Sequence, residues 1–277
     1  MISLNQDLWV TKHPYLRPVA ELQAQVDKAA AELSVSHPAL PIWSNYLCDF
    51  QAGVPLLQSS HVAIDLNPTA EILVSLVERI VARPLPESLA HESRSLLYEL
   101  RNDSDAPQQA VNWCINKSQF SSSQPGLLQY FGWAALRRYL DPILLAFSNW
   151  WQDGQEERWL RSYCSTCGAS PAMGQLVGIE PGRVRHLLCG RCGTRWRFRR
   201  TGCPFCEITD DHRLAVLDIE GEAGLRIDYC TSCRGYLKTY NGQGNETLLL
   251  ADWASLHLDV LAQDRGLKRL AASMYDL

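Results

Sequence analysis

Residues 164–168, Cys-Ser-Thr-Cys-Gly, are the first of four cysteine pairs that decide the fold of this chain. The others are Cys-Gly-Arg-Cys-Gly (189–193), Cys-Pro-Phe-Cys-Glu (203–207) and Cys-Thr-Ser-Cys-Arg (230–234). Two cysteines separated by two residues wrap a tight turn that points both thiolates at one ion, and two such turns complete a tetrahedral shell. The sequence therefore predicts two four-cysteine metal sites. The ligands are Cys164, Cys167, Cys189 and Cys192 in the first site, and Cys203, Cys206, Cys230 and Cys233 in the second.

The cysteine spacing alone does not decide which turns share an ion or which metal they bind. Neighbouring pairs leave room for one hairpin between them, which favours sequential pairing over an interleaved arrangement. Iron and zinc both suit four sulfur ligands, so each of the two predicted ions is iron or zinc. A closed shell leaves no position for substrate and favours a structural role, while rubredoxin-like electron transfer by iron and dithiol exchange are the alternatives.

Cysteine usage also divides the chain into segments. Only two of the ten cysteines, Cys48 and Cys114, precede the first pair, and we interpret both as buried thiols. The prediction is an α+β protein with a helical domain (1–160), a first metal ribbon (161–200), a second metal ribbon (201–245) and a C-terminal helix packing on the ribbons (246–277). A ribbon of about forty residues buries too little apolar surface to fold unaided, whereas metal binding supplies on the order of 10 to 16 kcal/mol.

Helical periodicity is clearest in the first half. Apolar residues recur at helical spacing behind Pro18 and again from Leu89 to Leu100. Between them, Asn67 is expected to cap a helix that starts at Pro68. Pro142 should break or kink the apolar run 127–151, and residues 153–161 are the predicted linker.

Each ribbon is expected to hold one hairpin, and the shared plan suggests duplication. Turn residues Glu180-Pro181-Gly182 and 220–224 separate the predicted strands 175–179 from 183–188 and 214–219 from 225–229. Asp252 is predicted to cap the closing helix, which ends at Gly266. Glycine follows the second cysteine of both turns in the first site, whereas Glu207 and Arg234 stand there in the second, so we expect the second site to be strained or differently turned.

The arginine segment, residues 183–200, carries seven arginines and no acidic residue. Aromatic residues alternate with these cations, a composition that suits a docking surface. Nucleic-acid binding is the less favoured alternative, since no helix is placed for a groove. The predicted partner-binding residues are Arg183, Arg185, Arg191, Arg195, Trp196, Arg197, Phe198, Arg199 and Arg200.

Other sequence features point to a non-enzyme. No Ser-His-Asp set, carboxylate pair, dinucleotide fingerprint or phosphate loop can be recognised. His186 and His257 lie near motifs, but neither is assigned a role. A net charge of −4 selects no particular partner. The absence of a signal-like start and of a long apolar stretch predicts a soluble, cytoplasmic protein without membrane insertion.

The second half resembles the formate dehydrogenase accessory protein family known as FdhE. The resemblance rests on the residues around the cysteines: Gly168, Ser170 and Pro171, then His186, Thr194, Trp196 and Arg199, then Tyr236, Leu237 and Lys238, then Ala251, Asp252, Ala254, Ser255, Leu256, Leu258 and Asp259. It implies a cytoplasmic maturation factor with rubredoxin-like sites that binds the catalytic subunit of a molybdenum- or tungsten-dependent formate dehydrogenase.

Overall fold

The computed structural model describes residues 4–115, 118–152, 158–179, 182–222 and 224–275. Most of the predicted linker and the residues Glu180, Pro181 and Ala223 of the two hairpin turns lie outside these ranges. The helices of the first half are α1 (Leu4–Lys12), α2 (Arg17–Ala31), α3 (Trp43–Ala52), α4 (Pro68–Val81), α5 (Glu87–Asn102), α6 (Ala106–Cys114) and α7 (Pro125–Gln152).

Two predictions concern prolines: that a helix starts at Pro68 and that Pro142 interrupts one. Helix α4 begins at Pro68 as predicted, but Asn67 adopts helical angles and its side chain makes no capping hydrogen bond, so its predicted capping role is wrong. Helix α7 runs through Pro142 without a break. Tyr139, Ile143 and Phe147 on either side of it are almost fully buried. Burial of these side chains offsets the roughly 3 kcal/mol that an internal proline costs. The predicted break is wrong, and a kink at Pro142 stays a prediction.

The described residues of the second half form a six-stranded sheet in the order β3-β2-β1-β6-β5-β4. Its strands are β1 (Met173–Val177), β2 (Val184–Leu188), β3 (Arg195–Phe198), β4 (Leu214–Asp218), β5 (Leu225–Cys230) and β6 (Tyr236–Asn241). The predicted hairpins are β1–β2 and β4–β5, both antiparallel. Strands β3 and β6, which follow the second cysteine pair of each site, were not predicted.

The two ribbons are joined side by side. Strands β1 and β6 pair in parallel, with Met173 opposite Lys238 and Leu176 opposite Asn241. Each ribbon therefore supplies three strands to a common sheet. The α+β fold class is confirmed, while the domain boundaries at 160, 200 and 245 stay a prediction.

The C-terminal segment covers the sheet and contains the predicted closing helix. It comprises α8 (Glu246–Leu249), a 3-10 turn (Asp252–Ser255) and α9 (Leu256–Asp264). Asp252 makes no capping bond. It is 6% exposed and lies in a buried ion network, so its predicted capping role is wrong.

This buried ion network consists of Lys238, Asp252, Asp259 and Arg269. Lys238 Nζ lies 2.5 Å from Asp252 Oδ1 and 2.7 Å from Asp259 Oδ2. Arg269 Nη2 lies 2.7 Å from Asp252 Oδ2, and its other terminal nitrogen contacts Asp259. The two cations and two carboxylates balance, and they connect β6, the 3-10 turn, α9 and the C-terminal tail.

Two apolar cores hold the molecule together. The larger one combines α2 to α7 with the first ribbon, including Leu187, Trp196 and Phe198. The smaller one combines Trp9 and Val10 of α1 with the second ribbon and the C-terminal segment. Helix α1 thus packs, together with Ala20 at the start of α2, on the second ribbon and the C-terminal segment. Within the described ranges, no helix is both long and apolar enough to cross a bilayer.

Candidate metal centres

The structure gathers the cysteines into the two predicted sets. In the first site, Cys164 Sγ lies 3.5 Å from Cys192 Sγ, and Cys167 Sγ lies 3.5 Å from Cys189 Sγ. A disulfide would require about 2.05 Å, whereas the edge of a tetrahedron of sulfurs around zinc or iron is about 3.8 Å. The spacing therefore suits a shared ion.

The second site has the same arrangement with slightly wider spacing. Cys203 Sγ lies 3.6 Å from Cys233 Sγ, and Cys206 Sγ lies 3.8 Å from Cys230 Sγ. Both groups match the geometry of a four-cysteine metal site. The sequential grouping is the one the structure brings together, and two ions, iron or zinc, fit it.

All four cysteine turns share one hydrogen-bond pattern. The residue after each second cysteine donates its N–H to the carbonyl of the first cysteine, at 2.9 Å for Gly168 and 3.0 Å for Glu207. These residues have φ angles of 79° at Gly168, 80° at Gly193, 61° at Glu207 and 62° at Arg234. The second site therefore uses the same turn as the first. Since side chains disfavour this region by about 1–2 kcal/mol, its two turns carry the backbone strain that the sequence indicated.

Gly193 offers a direct test of the turn geometry. A Cβ at this position would have no heavy atom within 4 Å, so Gly193→Ala changes backbone preference without a clash. We expect a loss of about 1 kcal/mol in the free energy of unfolding, measured by urea denaturation with metal present. Gly126→Ala, also free of contacts but at the start of α7, is the control and should be neutral or stabilising. Equal effects of the two substitutions would contradict the assignment.

The protonation of the sulfurs is consistent with a bound cation. Burial raises the pKa of the Cys164 thiol well above its usual value and that of Cys203 to about 12. Burial also opposes ionisation of Cys230, but the N–H groups of Cys233 and Ser232 outweigh it and lower the pKa to about 7. Without a metal the thiols whose pKa is raised, such as Cys164 and Cys203, would stay protonated, so ion binding must release protons and weaken as the pH falls.

The two sites differ in their surroundings. The first is bonded to the helical half: Leu56 and Leu57 donate their N–H groups to the carbonyls of Ser165 and Thr166, at 2.8 and 2.9 Å. From α7, Arg137 Nη2 donates to the carbonyl of Gly190 at 2.9 Å. The second site is bonded to the chain end, where Arg234 Nε donates to the carbonyl of Gly266 at 2.9 Å.

Exposure predicts the order in which the ions leave. Cys206 of the second site is exposed, whereas three of the four cysteines of the first site are buried. Under excess EDTA we expect the second site to lose its ion first, because the chelator can reach it without local unfolding. Iodoacetamide labelling with peptide mass spectrometry should show Cys206 reacting well before Cys189. Cys48 is the reference for free access, since it is exposed and its predicted burial is wrong, whereas Cys114 is buried as predicted. Simultaneous labelling of both sites would contradict this order.

The predicted docking surface needs correction. Trp196 and Phe198 are 0% and 2% exposed, and Arg185 is 5% exposed. Side chains of β3 alternate between the two faces of the sheet, so both aromatic residues point into the core while Arg195 and Arg197 point the other way. These three buried residues cannot contact a partner directly.

Specific bonds hold the buried members of the arginine segment in place. Trp196 Nε1 donates to the carbonyl of Arg161 at 2.9 Å, and Arg185 Nη1 donates to the carbonyl of Gly202 at 3.0 Å. Arg195, Arg199 and Arg200 are exposed, and the remaining arginines, Arg183, Arg191 and Arg197, are half-buried. Only part of the segment can therefore serve as a surface.

The buried ion network was missed by sequence reasoning. Lys238, Asp252 and Asp259 were among the residues that carry the family resemblance, but nothing in their spacing indicated that they meet. Their contacts now explain why these residue types stand there: each charge is buried and needs its partners.

Comparisons with known proteins bear on the identity of the chain. No family model matches it. An FdhE homolog from Pseudomonas aeruginosa is 32% identical over 188 residues, covering 62% of this chain and 57% of that protein. One from Stutzerimonas stutzeri is 30% identical over 193 residues, covering 64% and 57%. One from Aquifex aeolicus is 31% identical over 143 residues, covering 50% and 49%. The matches thus span about half to three-fifths of these relatives' own length.

The fold supports the same relationship over more of the chain. The crystal structure of the FdhE protein from Pseudomonas aeruginosa superposes with a TM-score of 0.62 at 25% identity, covering 95% of this chain and 88% of that one. Together with the two four-cysteine groups, the sequence matches and the shared fold show that this chain is similar to FdhE proteins in sequence and architecture.

Proposed function

We propose that this chain is a cytoplasmic accessory factor that binds the catalytic subunit of a formate dehydrogenase during its maturation and performs no catalysis itself. The observation that carries the proposal is the pair of four-cysteine sites in FdhE-like ribbons that share one sheet. Their sulfur shells are closed when an ion is bound, so the metals shape a surface and leave no coordination position for substrate. The relatives' FdhE name supports the connection to formate dehydrogenase.

The docking surface that we propose is the exposed part of the arginine segment and the groove beside it. Arg199 and Arg200 are exposed at the end of β3. The groove adjoins the second metal site and has a volume of about 220 Å³. Its lining includes Leu176, Val216 and Leu237, the exposed Arg200 and Asp211, and the ion pair of Arg226 with Asp228, while Arg185 is buried beneath it. The exposed charges of Arg199 and Arg200 favour an acidic, partly apolar segment of the catalytic subunit.

Co-purification tests this proposal. The full chain and a formate dehydrogenase catalytic subunit are co-expressed, and the complex is isolated through a tag on the subunit. Arg199→Glu combined with Arg200→Glu should reduce recovery of the chain at least tenfold, since the charge of the surface is reversed. Arg94→Glu, at an exposed position of α5, is the matched control.

The outcome in cells separates docking from folding. We expect the double variant to lower formate dehydrogenase activity in a strain that depends on this chain, while its metal content stays that of the wild type. Failure of the wild-type chain to bind the subunit, together with full dehydrogenase activity when the cysteine pairs are replaced, would refute the proposal. Salt-dependent binding to generic DNA or RNA below the micromolar range would favour the nucleic-acid alternative.

Metal analysis addresses the remaining alternative, electron transfer. Anaerobically purified protein should be analysed for iron and zinc and examined by visible absorption. A structural role predicts two ions that do not cycle between oxidation states. Reversible oxidation and reduction of bound iron, with absorption that bleaches on reduction, would favour the rubredoxin-like alternative.

A further inference from the structure

A second kind of metal-ligating cluster lies away from the cysteines. His13 follows α1, Glu222 lies in the turn between β4 and β5, and His257 lies in the first turn of α9. One ligand atom from each can be chosen so that all three lie within 4.8 Å of one another. We call these three residues the His-Glu-His cluster.

Distances within the cluster converge on one carboxylate oxygen. His13 Nε2 lies 3.0 Å from Glu222 Oε1, and His257 Nε2 lies 3.2 Å from the same atom. The two imidazole rings stack with centroids 4.8 Å apart and an interplanar angle of 28°. Nε2 of each ring therefore faces the same oxygen, Oε1, of the Glu222 carboxylate.

Protein contacts leave several atoms of this cluster unsatisfied. His13 is 3% exposed, and the side chains of Glu222 and His257 are 9% and 11% exposed. Glu222 Oε2 and both ring nitrogens of His257 are buried and have no hydrogen-bond partner among the residues that the structure describes. The 3.2 Å approach of His257 Nε2 is thus a close contact outside hydrogen-bond geometry. Buried polar atoms are costly when unpaired, so the cluster calls for a bound species.

The orientation of His13 points to a cation. Its Nδ1 lies 3.0 Å from the carbonyl oxygen of Trp9, which can only accept, so Nδ1 carries the hydrogen. Nε2 then has its lone pair directed at Glu222 unless a second proton is added. A backbone carbonyl that holds the far nitrogen of a histidine in this way is the usual support of a metal-binding imidazole.

We propose that the His-Glu-His cluster is a third metal site, binding a divalent transition ion of the zinc class through His13 Nε2, His257 Nε2 and the Glu222 carboxylate. Nitrogen and oxygen ligands about 2.1 Å from such an ion lie about 3.4 Å apart in a tetrahedron, close to the two observed separations. Three protein ligands leave a fourth position for water.

Lys12, the cation next to His13 in the chain, is bonded away from the carboxylate of the cluster. Its Nζ donates to the carbonyl of Gly221. Oε1 of Glu222 therefore faces Nε2 of both histidines.

The ion would connect three segments that are far apart in the sequence. His13 and Glu222 are separated by 209 residues. Helix α1 lies in the smaller core, so the site would hold the N-terminal segment on the second ribbon and α9. This role is independent of the proposed docking of formate dehydrogenase.

Metal stoichiometry tests the proposal directly. The full chain is loaded with zinc, passed through a desalting column and analysed by mass spectrometry for metal and by amino-acid analysis for protein. We expect three zinc ions per chain in the wild type, two in the cysteine sites and one in the His-Glu-His cluster. His257→Ala should retain two, and His91→Ala, at an exposed position of α5, should retain three.

Cobalt provides a readout that does not depend on substituting the histidines. With zinc in the cysteine sites, added Co²⁺ should give visible bands of a nitrogen and oxygen site without thiolate charge transfer. Glu222→Gln, which keeps the shape of the side chain, should weaken Co²⁺ binding at least tenfold, and circular dichroism checks its fold. Two zinc ions in the wild type, or unchanged metal content in well-folded His257→Ala, would overturn the proposal.

Discussion

Cys189→Ser is expected to abolish metal binding at the first site and to unfold the ribbon together with part of the helical half. Structural zinc sites supply on the order of 10 kcal/mol or more to folding, which is comparable to the total stability of about 5–15 kcal/mol of most domains. Cys189 is 1% exposed and belongs to the larger core. Loss of the ion would leave buried thiols without a cation at the centre of that core.

The contacts of the first site determine how far unfolding spreads. The bonds from Leu56 and Leu57 to the first cysteine turn, and from Arg137 to Gly190, join that ribbon to the helices. Metal analysis, far-ultraviolet circular dichroism and tryptophan fluorescence measure the result, since Trp159 and Trp196 are fully buried. Cys48→Ser, at an exposed cysteine outside both sites, should change none of these signals. A folded, metal-free Cys189→Ser protein would contradict the structural role of the ion.

Lys238→Met is expected to destabilise the protein by about 3–5 kcal/mol, because removing one partner from a buried ion network leaves the others uncompensated. Lys238 is 1% exposed, and besides its two carboxylates it donates to the carbonyl of Asp252 at 3.2 Å and to that of Ser255 at 3.3 Å. Methionine fills a similar volume but supplies neither charge nor donors. Asp252 and Asp259 would then share one cation, Arg269.

Urea denaturation of the zinc-loaded protein measures the loss. Lys268→Met, at an exposed lysine in the C-terminal tail, is the matched control and should stay within about 0.5 kcal/mol of the wild type. The destabilisation caused by Lys238→Met should also become smaller as the pH falls. Burial raises the pKa of Asp252, but Lys238 and Arg269 outweigh it and hold that pKa below its usual value. The stabilising charge of Asp252 is therefore present above the unfolded-state pKa and lost as the pH falls through the lower folded-state pKa. A Lys238→Met protein as stable as the wild type would show that the network contributes specificity and no stability.

The metal ligands were predictable because their geometry is local. A Cys-X-X-Cys turn positions its two sulfurs through four residues and the hydrogen bonds that close them, whatever surrounds the turn. The positive φ angles at Glu207 and Arg234 follow from the same local requirement. The residues that a side chain packs against cannot be predicted from its neighbours in the sequence in this way.

The arginine segment and Asp252 illustrate that limit. Trp196 and Phe198 were interpreted as surface residues because cations surround them in the sequence, but the alternation of a strand places neighbours on opposite faces. Asp252 has the composition of a helix cap, and only its approach to Lys238 and Arg269 reveals a buried charge. The first case depends on recognising β3 as a strand, and the second depends on neighbours that are distant in the chain.

The four cysteine turns, the helical first half and the resemblance to FdhE could all be predicted from the sequence. Only the folded chain shows that β1 pairs with β6 to make one sheet from two ribbons, that Lys238 contacts Asp252 and Asp259, and that His13 and His257 meet at Glu222. The difference lies in how far apart in the sequence the interacting residues are. Hydrogen bonds within a turn depend on adjacent residues, whereas strand pairing and buried charge clusters depend on which distant surfaces the whole chain brings together as it buries its apolar side chains.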